Sequence, residues 1–176
     1  LAACQKAGIR VVMGTGDHAA TAQAIARELG LIDAQSDPDE SPPLGDLDAL
    51  SEEERRALLE RPVFARISPE QKLDLIRLYQ EAGRVVGMTG DGVNDAPGLK
   101  KADIGIAMGK RGTEVAREAA DMVLKDDAFD TIVTAVEHGR TIFHNIRRFI
   151  IFLLSGNLGE IMAISAAAMV GAPLPM

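Results

Sequence analysis

Short apolar runs alternate with amphipathic stretches through the first 128 residues, and one much longer apolar run follows them. Residues 8–13, 63–67, 85–88, 104–108 and 122–124 are compact and rich in Val, Ile and Met, the pattern of strands buried on both faces. Between them lie helical patterns. One covers 21–29 and is stopped by Gly30. A second starts at Ser51, with Glu54 three residues on to close a capping box. A third runs from Pro69, a first-turn proline, to about Ala82, and a short one covers 96–101. Residues 33–48 are rich in Asp, Pro and Ser and predict an exposed acidic insertion. Alternating strands and helices predict an α/β fold for residues 1–128, with a mainly parallel sheet and helices on both faces.

The pattern changes after residue 128. Residues 129–148 keep helical periodicity with a polar face, whereas 149–170 are almost continuously apolar, long enough to cross a bilayer at about 20 residues. A soluble core helix would keep a polar face, so the run predicts a membrane span. Lys125, Arg140, Arg147 and Arg148 precede it and no basic residue follows, which predicts that residues 1–148 are cytoplasmic. One continuous helix from 130 to 169 would reach roughly 60 Å and join the α/β part mechanically to the membrane. Residues 171–176 then read as a loop towards a further helix. The net charge of −7, without a basic stripe or aromatic platform, argues against nucleic acid as a partner. Cys4 is the only cysteine, expected as a small core residue, and the first residues do not read as a signal peptide.

Candidate chemistry concentrates where strand patterns end. Behind the run 85–88 comes Thr89-Gly90-Asp91-Gly92-Val93-Asn94-Asp95-Ala96-Pro97, and open α/β sheets place their sites in such loops at the carboxyl ends of strands. An acidic surface turn is the plainer alternative. Asp91 is the expected Mg²⁺ ligand, with Asp95 supporting the ion or its waters. Asn94 offers an amide to a phosphoryl group without repulsive charge, and Lys72 a cation to its oxygens. Thr15 and the Gly16 amide follow the first strand, where hydroxyl and N–H can bind phosphate. In the apolar run, Asn157 and Glu160 stand three apart on one helix face and supply hard oxygen donors. An ionisable group at that depth suggests a cation site, or else a Glu bonded to a neighbouring helix. His18, His138 and His144 have no metal-ligand spacing.

Several of these segments together resemble P-type ATPases, cation pumps that form an aspartyl-phosphate on a haloacid dehalogenase-like, Rossmann-like domain. Thr89 to Pro97 is similar to the family's hinge motif, continued by Lys100-Lys101-Ala102-Asp103-Ile104-Gly105-Ile106-Ala107-Met108-Gly109. Val11-Val12-Met13-Gly14-Thr15-Gly16-Asp17-His18 resembles a second motif, and Phe64-Ala65-Arg66-Ile67-Ser68-Pro69-Glu70-Gln71-Lys72 a third. The resemblance implies that Thr15 and Gly16 contact the phosphoryl group, Lys72 neutralises it, and Asp91 binds Mg²⁺ with Asn94 and Asp95 completing the site. Arg66 would lie near the nucleotide, ATP, and Asp17 would act structurally or at a hinge. Gly14 and Ala19 depart from the motif, which has a large aliphatic residue and a Pro there, and predict a looser turn around Thr15.

Asn157-Leu158-Gly159-Glu160 resembles the fifth membrane helix of calcium pumps, so Ca²⁺ is the leading transported cation, with Mn²⁺, Na⁺ and H⁺ left open. The implied whole is a multi-pass protein of the bacterial cell membrane, whose remaining domains and helices partner this segment. No Asp-Lys-Thr-Gly-Thr, the family's nucleophile motif, occurs in the chain. The expectation is the C-terminal half of a phosphorylation domain plus one membrane helix, inactive by itself. A soluble phosphatase of the same superfamily and a non-catalytic membrane-anchored remnant are the alternatives.

Overall fold

The computed structural model describes residues 2–33 and 49–171. The insertion expected at 33–48 and the loop expected at 171–176 therefore fall almost wholly outside the described residues. Two units divide the chain, Leu1–Phe129 and Asp130–Met176.

The first unit is built from α1 (Ala2–Lys6), β1 (Met13–Gly14), α2 (Ala19–Glu28), α3 (Glu52–Glu60), β2 (Val63–Phe64), α4 (Pro69–Glu81), β3 (Gly87–Gly90), a 3₁₀ turn (Val93–Asp95), α5 (Ala96–Lys101), β4 (Ile104–Met108), α6 (Glu114–Ala119) and β5 (Met122–Leu124). Every strand pairing is parallel. The strands form two groups, β1-β2 and β3-β4-β5, so among the described residues β1 and β3 each have a ladder partner on one side only.

Local chemistry accounts for the element boundaries. Ser51 and Glu54 close the expected capping box on α3, and Ser68 with Gln71 closes another on α4, whose first residue is Pro69. Gly30 and Gly83 follow the ends of α2 and α4 with φ of 69° and 72°, a left-handed conformation that glycine adopts without a Cβ clash. The strand expected over 63–67 is cut to two residues because Arg66 has φ 54° and cannot continue an extended ladder. The strand expected at 85–88 is displaced to Gly87–Gly90. The Val86 amide donates to Asp103 Oδ2 and its carbonyl accepts from Asp103 and Ile104, so ladder pairing starts at Gly87 with Ile104. Val85 stands 80% exposed outside the sheet. Helix α6, capped by Thr113, lies in a segment with no sequence-based assignment.

Small residues let the layers close tightly. Leu99, Ala107 and Ala116 form one fully buried cluster joining α5, β4 and α6. Phe64, Ile67, Leu75 and Leu78 form another under α4, and Ala22, Ala26 and Val63 pack α2 on β2. Cys4 is half-buried on α1 and belongs to none of these clusters.

The second unit is dominated by α7 (Phe129–Val170), an unbroken helix of 42 residues and so about 60 Å long. With a mean hydropathy of 1.7 in its apolar window, it is long and apolar enough to cross a membrane. None of its residues is buried. Asn157 and Glu160 both lie on it, at positions sharing one face.

Candidate functional site

The loops at the carboxyl ends of β1, β3 and β4 converge on one open pocket of about 320 Å³. Its lining combines Thr15 and Gly16 behind β1, Thr89 to Asp91 at the end of β3, and Lys72 and Asp95 from α4 and the 3₁₀ turn. Met108, Arg111 and Phe129 complete it.

The turn after β1 is held from several sides. The Thr15 amide donates to the Phe64 carbonyl at 2.9 Å, the Ile67 amide to Thr15 at 3.1 Å, and the Arg66 amide to Asp17 at 3.0 Å. Thr15 Oγ1 donates to Asp17 Oδ2 at 3.0 Å and accepts from the Asp17 amide at 3.1 Å. The turn that Gly14 and Ala19 are expected to loosen carries these hydrogen bonds, and a Cβ at Gly14 would lie 2.8 Å from Ile67 Cδ1. Tertiary hydrogen bonds to the 64–67 segment hold Thr15.

At the centre of the pocket, Lys72 Nζ donates to Asp95 Oδ1 at 2.7 Å, with side-chain exposures of 24% and 14%. The second oxygen of Asp95 accepts from the Gly92 amide at 3.2 Å and the Asp91 amide at 3.4 Å. Burial pushes the Asp95 carboxyl up. The Lys72 hydrogen bond, the Gly92 amide and the Lys72 charge together outweigh it, leaving the group below its usual value of 3.8. Gly90 makes the arrangement possible, since a Cβ there would lie 2.5 Å from the Asp95 Cβ.

Both oxygens of Asp95 are thus engaged by protein donors. Asp91, exposed at the pocket rim with no hydrogen bond recorded to its carboxylate, is the acid open to a cation. Its hard oxygens, beside a pocket lined by hydroxyl and amide groups, fit a Mg²⁺ ion that keeps most of its waters. Among the described residues no three acids, histidines or cysteines cluster as a self-sufficient metal cage.

The other expected residues lie around this centre. Asn94 is exposed on the 3₁₀ turn outside the pocket lining, and Asp17 sits behind Thr15. Arg66 also lies outside the lining, with Nη2 donating to His18 Nδ1 at 2.9 Å. Arg111 and Phe129 were not anticipated from sequence. The signal for Arg111 was Gly109-Lys110-Arg111-Gly112, a glycine-flanked loop directly behind the strand pattern 104–108.

The ion pair gives a pH prediction. Asp95 has a lowered native pKa, so its contribution to stability is fully present above the unfolded-state value near 3.9 and is lost as pH falls through the lower native one. Lys72→Met is expected to cost about 1.5–3 kcal/mol at neutral pH, typical of a hydrogen bond to a charged group. It should also move the acid-unfolding midpoint to higher pH. Urea unfolding at neutral pH reads the first and far-UV circular dichroism during acid titration the second; an unchanged acid midpoint would mean that the pair does not hold Asp95 ionised.

Comparison with known proteins adds relatives to this geometry. A family model described as haloacid dehalogenase-like hydrolase matches residues 1–103. A probable cation-transporting ATPase F of Mycobacterium bovis is 55% identical over 178 residues, which covers 100% of this chain and 20% of the relative. A calcium-transporting ATPase of Bacillus subtilis is 49% identical over 98% of this chain and 19% of its own length. One from Listeria monocytogenes is 54% identical over 91% and 18%. The chain therefore spans about a fifth of the length of the curated relatives it matches. The catalytic domain of the CPx-ATPase CopB-B, whose structures concern conformational changes upon nucleotide binding, has the same fold. The TM-score is 0.56 at 24% identity, over 76% of this chain and 41% of that one.

Proposed function

Because the chain belongs to the haloacid dehalogenase-like hydrolase family, we propose that its pocket is the phosphoryl-transfer site of an ATP-driven cation pump, of which the chain is one part. The observation that carries this reading is the convergence of Thr15, Gly16, the Lys72–Asp95 pair and Asp91 in a single pocket at the carboxyl ends of parallel strands. Phosphoryl transfer asks mainly for positioning and charge neutralisation, and these groups supply both.

Thr15 Oγ1 and the Gly16 amide hold phosphoryl oxygens, and Lys72 offsets their charge from the opposite wall. Asp95 keeps Lys72 oriented. Asp91, with Asn94 nearby, would hold Mg²⁺, which when bound would supply Lewis-acid neutralisation of the phosphoryl oxygens. Arg66 and His18 flank the approach of ATP, and Asp17 keeps Thr15 in place. The acceptor aspartate comes from a strand outside this chain. Among the described residues β1 and β3 each offer one unpaired ladder edge, and their carboxyl ends line the same pocket, which leaves a place for a further parallel strand. By itself the chain is inactive.

On this reading α7 is the stalk and membrane helix of a multi-pass protein, with residues 1–148 in the cytoplasm of a bacterium. Asn157 and Glu160 help bind the transported cation, and Ca²⁺ is favoured by the calcium-transporting relatives.

The test is the complete protein in membrane vesicles. Expected are Ca²⁺-dependent ATP hydrolysis, Ca²⁺ uptake, and an acid-stable phosphoenzyme that hydroxylamine cleaves, as it does an acyl phosphate. Phosphatase activity in the soluble fraction would favour the soluble hydrolase instead. A reading frame without any Asp-Lys-Thr-Gly-Thr, making no phosphoenzyme, would leave a non-catalytic remnant.

A further inference from the structure

Arg111 reaches the pocket from a loop tied down by several hydrogen bonds. The carboxylate of Asp127, only 9% exposed, accepts three successive backbone amides. Gly109 and Lys110 donate to Oδ1 at 2.7 and 2.9 Å, and Arg111 donates to Oδ2 at 2.9 Å. Those amides, Lys110 foremost, hold the Asp127 carboxyl below its usual range despite desolvation. Arg117 clamps the same loop from the other side, its Nη1 donating to the carbonyls of Gly109 at 3.2 Å and Gly112 at 2.6 Å. Gly112 is packed so closely that a Cβ would overlap the Met108 carbonyl. The Thr113 amide donates to the Asp91 carbonyl at 2.8 Å, tying the loop to the acid at the pocket rim.

The side chain is as loose as its backbone is fixed. Arg111 is 68% exposed, and its Nε lies 3.5 Å from Asp127 Oδ2, well beyond the roughly 2.7–2.9 Å of a charge-assisted hydrogen bond. Asp127 is already engaged by the three amides, and the guanidinium is a further, longer contact to it. Lys72, the other cation lining the pocket, is committed to Asp95 at 2.7 Å. A planar fork of donors at a fixed Cα, beside an open oxyanion pocket, suits bidentate capture of phosphate oxygens better than an ammonium does.

We propose that Arg111 is a second phosphate-binding cation of this site, which grips two oxygens of the phosphoryl group while Lys72 remains with Asp95. The proposal rests on the phosphoryl-site reading above and adds a specificity-determining group to it. Arg111 rests against Asp127 when the pocket holds no oxyanion and turns inward when one arrives.

The test compares the complete protein with its R111Q, R111K and K72A variants, using radiolabelled inorganic phosphate in equilibrium dialysis with Mg²⁺ present. R111Q is expected to weaken phosphate binding at least about tenfold, the scale of one charge-assisted hydrogen bond. R111K should recover part of the loss, while ADP affinity and thermal unfolding stay at parental values. Parental phosphate affinity in R111Q alongside weakened binding in K72A would overturn the role of Arg111 and leave the phosphoryl site standing. Parental affinity in both would overturn the phosphoryl site as well. A change in ADP affinity as large as that in phosphate would show a nucleotide contact or a general charge effect, and would also overturn the proposal.

Discussion

Asp91→Asn should reduce ATP hydrolysis by the complete protein roughly 10²–10³-fold, the loss typical of removing one electrostatic stabiliser of a transition state. The substitution keeps shape and removes charge. Asp91 is exposed at the pocket rim and no hydrogen bond is recorded to its carboxylate, so the fold should not register the change. The defect should respond to Mg²⁺, with the activation curve displaced to higher concentration. Asp95→Asn would behave differently, because it breaks the pair with Lys72 and disturbs the amides of Gly92 and Asp91. Stability and activity would then fall together. Measuring both variants by hydrolysis and by thermal unfolding separates a metal ligand from an organiser of the site. Near-parental hydrolysis in Asp91→Asn would remove Asp91 from the metal-binding role.

Gly105→Ala is expected to be severely damaging to the fold for a single-methyl change. Gly105 is buried in β4, the middle strand of its sheet, and a Cβ there would overlap the backbone carbonyl of Leu99 on α5. Backbone cannot rotate away as a side chain can, so α5 must move off the sheet. Leu99 would be drawn from its fully buried cluster with Ala107 and Ala116. A loss on the order of 3 kcal/mol follows, at the upper end for overpacking a core. Gly87→Ala is the comparison, since its Cβ would meet the Ile104 carbonyl at an ordinary 3.9 Å. That change should stay within about 0.5 kcal/mol. Urea unfolding of the chain reads both, and equal midpoints would mean that α5 is not seated on β4 as closely as the structure has it. Because α5 follows the Asp91–Asp95 segment directly, Gly105→Ala should also weaken the site.

The chain's own chemistry made much of this legible. The capping box at Ser51, Pro69 at the start of α4, and the continuous apolar run of α7 depend on residues close in sequence, and the structure has them as read. Asp91, Lys72 and Thr15 were legible as candidates because open α/β folds collect chemistry at the carboxyl ends of their strands. Strand limits were less legible, because a strand exists only where a partner pairs with it. Arg66 in a left-handed conformation ended β2, and the Asp103 carboxylate capped Val86 and moved β3 two residues along.

Sequence alone determined the α/β alternation, the membrane-length helix and the residue types able to handle a phosphoryl group, since propensity, periodicity and side-chain chemistry are local properties. Tertiary structure decided which groups meet and in what state. Lys72 and Asp95, 23 residues apart, became a partly buried ion pair that leaves Asp91 as the free acid. Asp127 gathered three amides 16 to 18 residues away and so fixed the backbone of the loop that carries Arg111 to the pocket lining. Such long-range contacts depend on how whole elements pack, and no local pattern in the sequence encodes them.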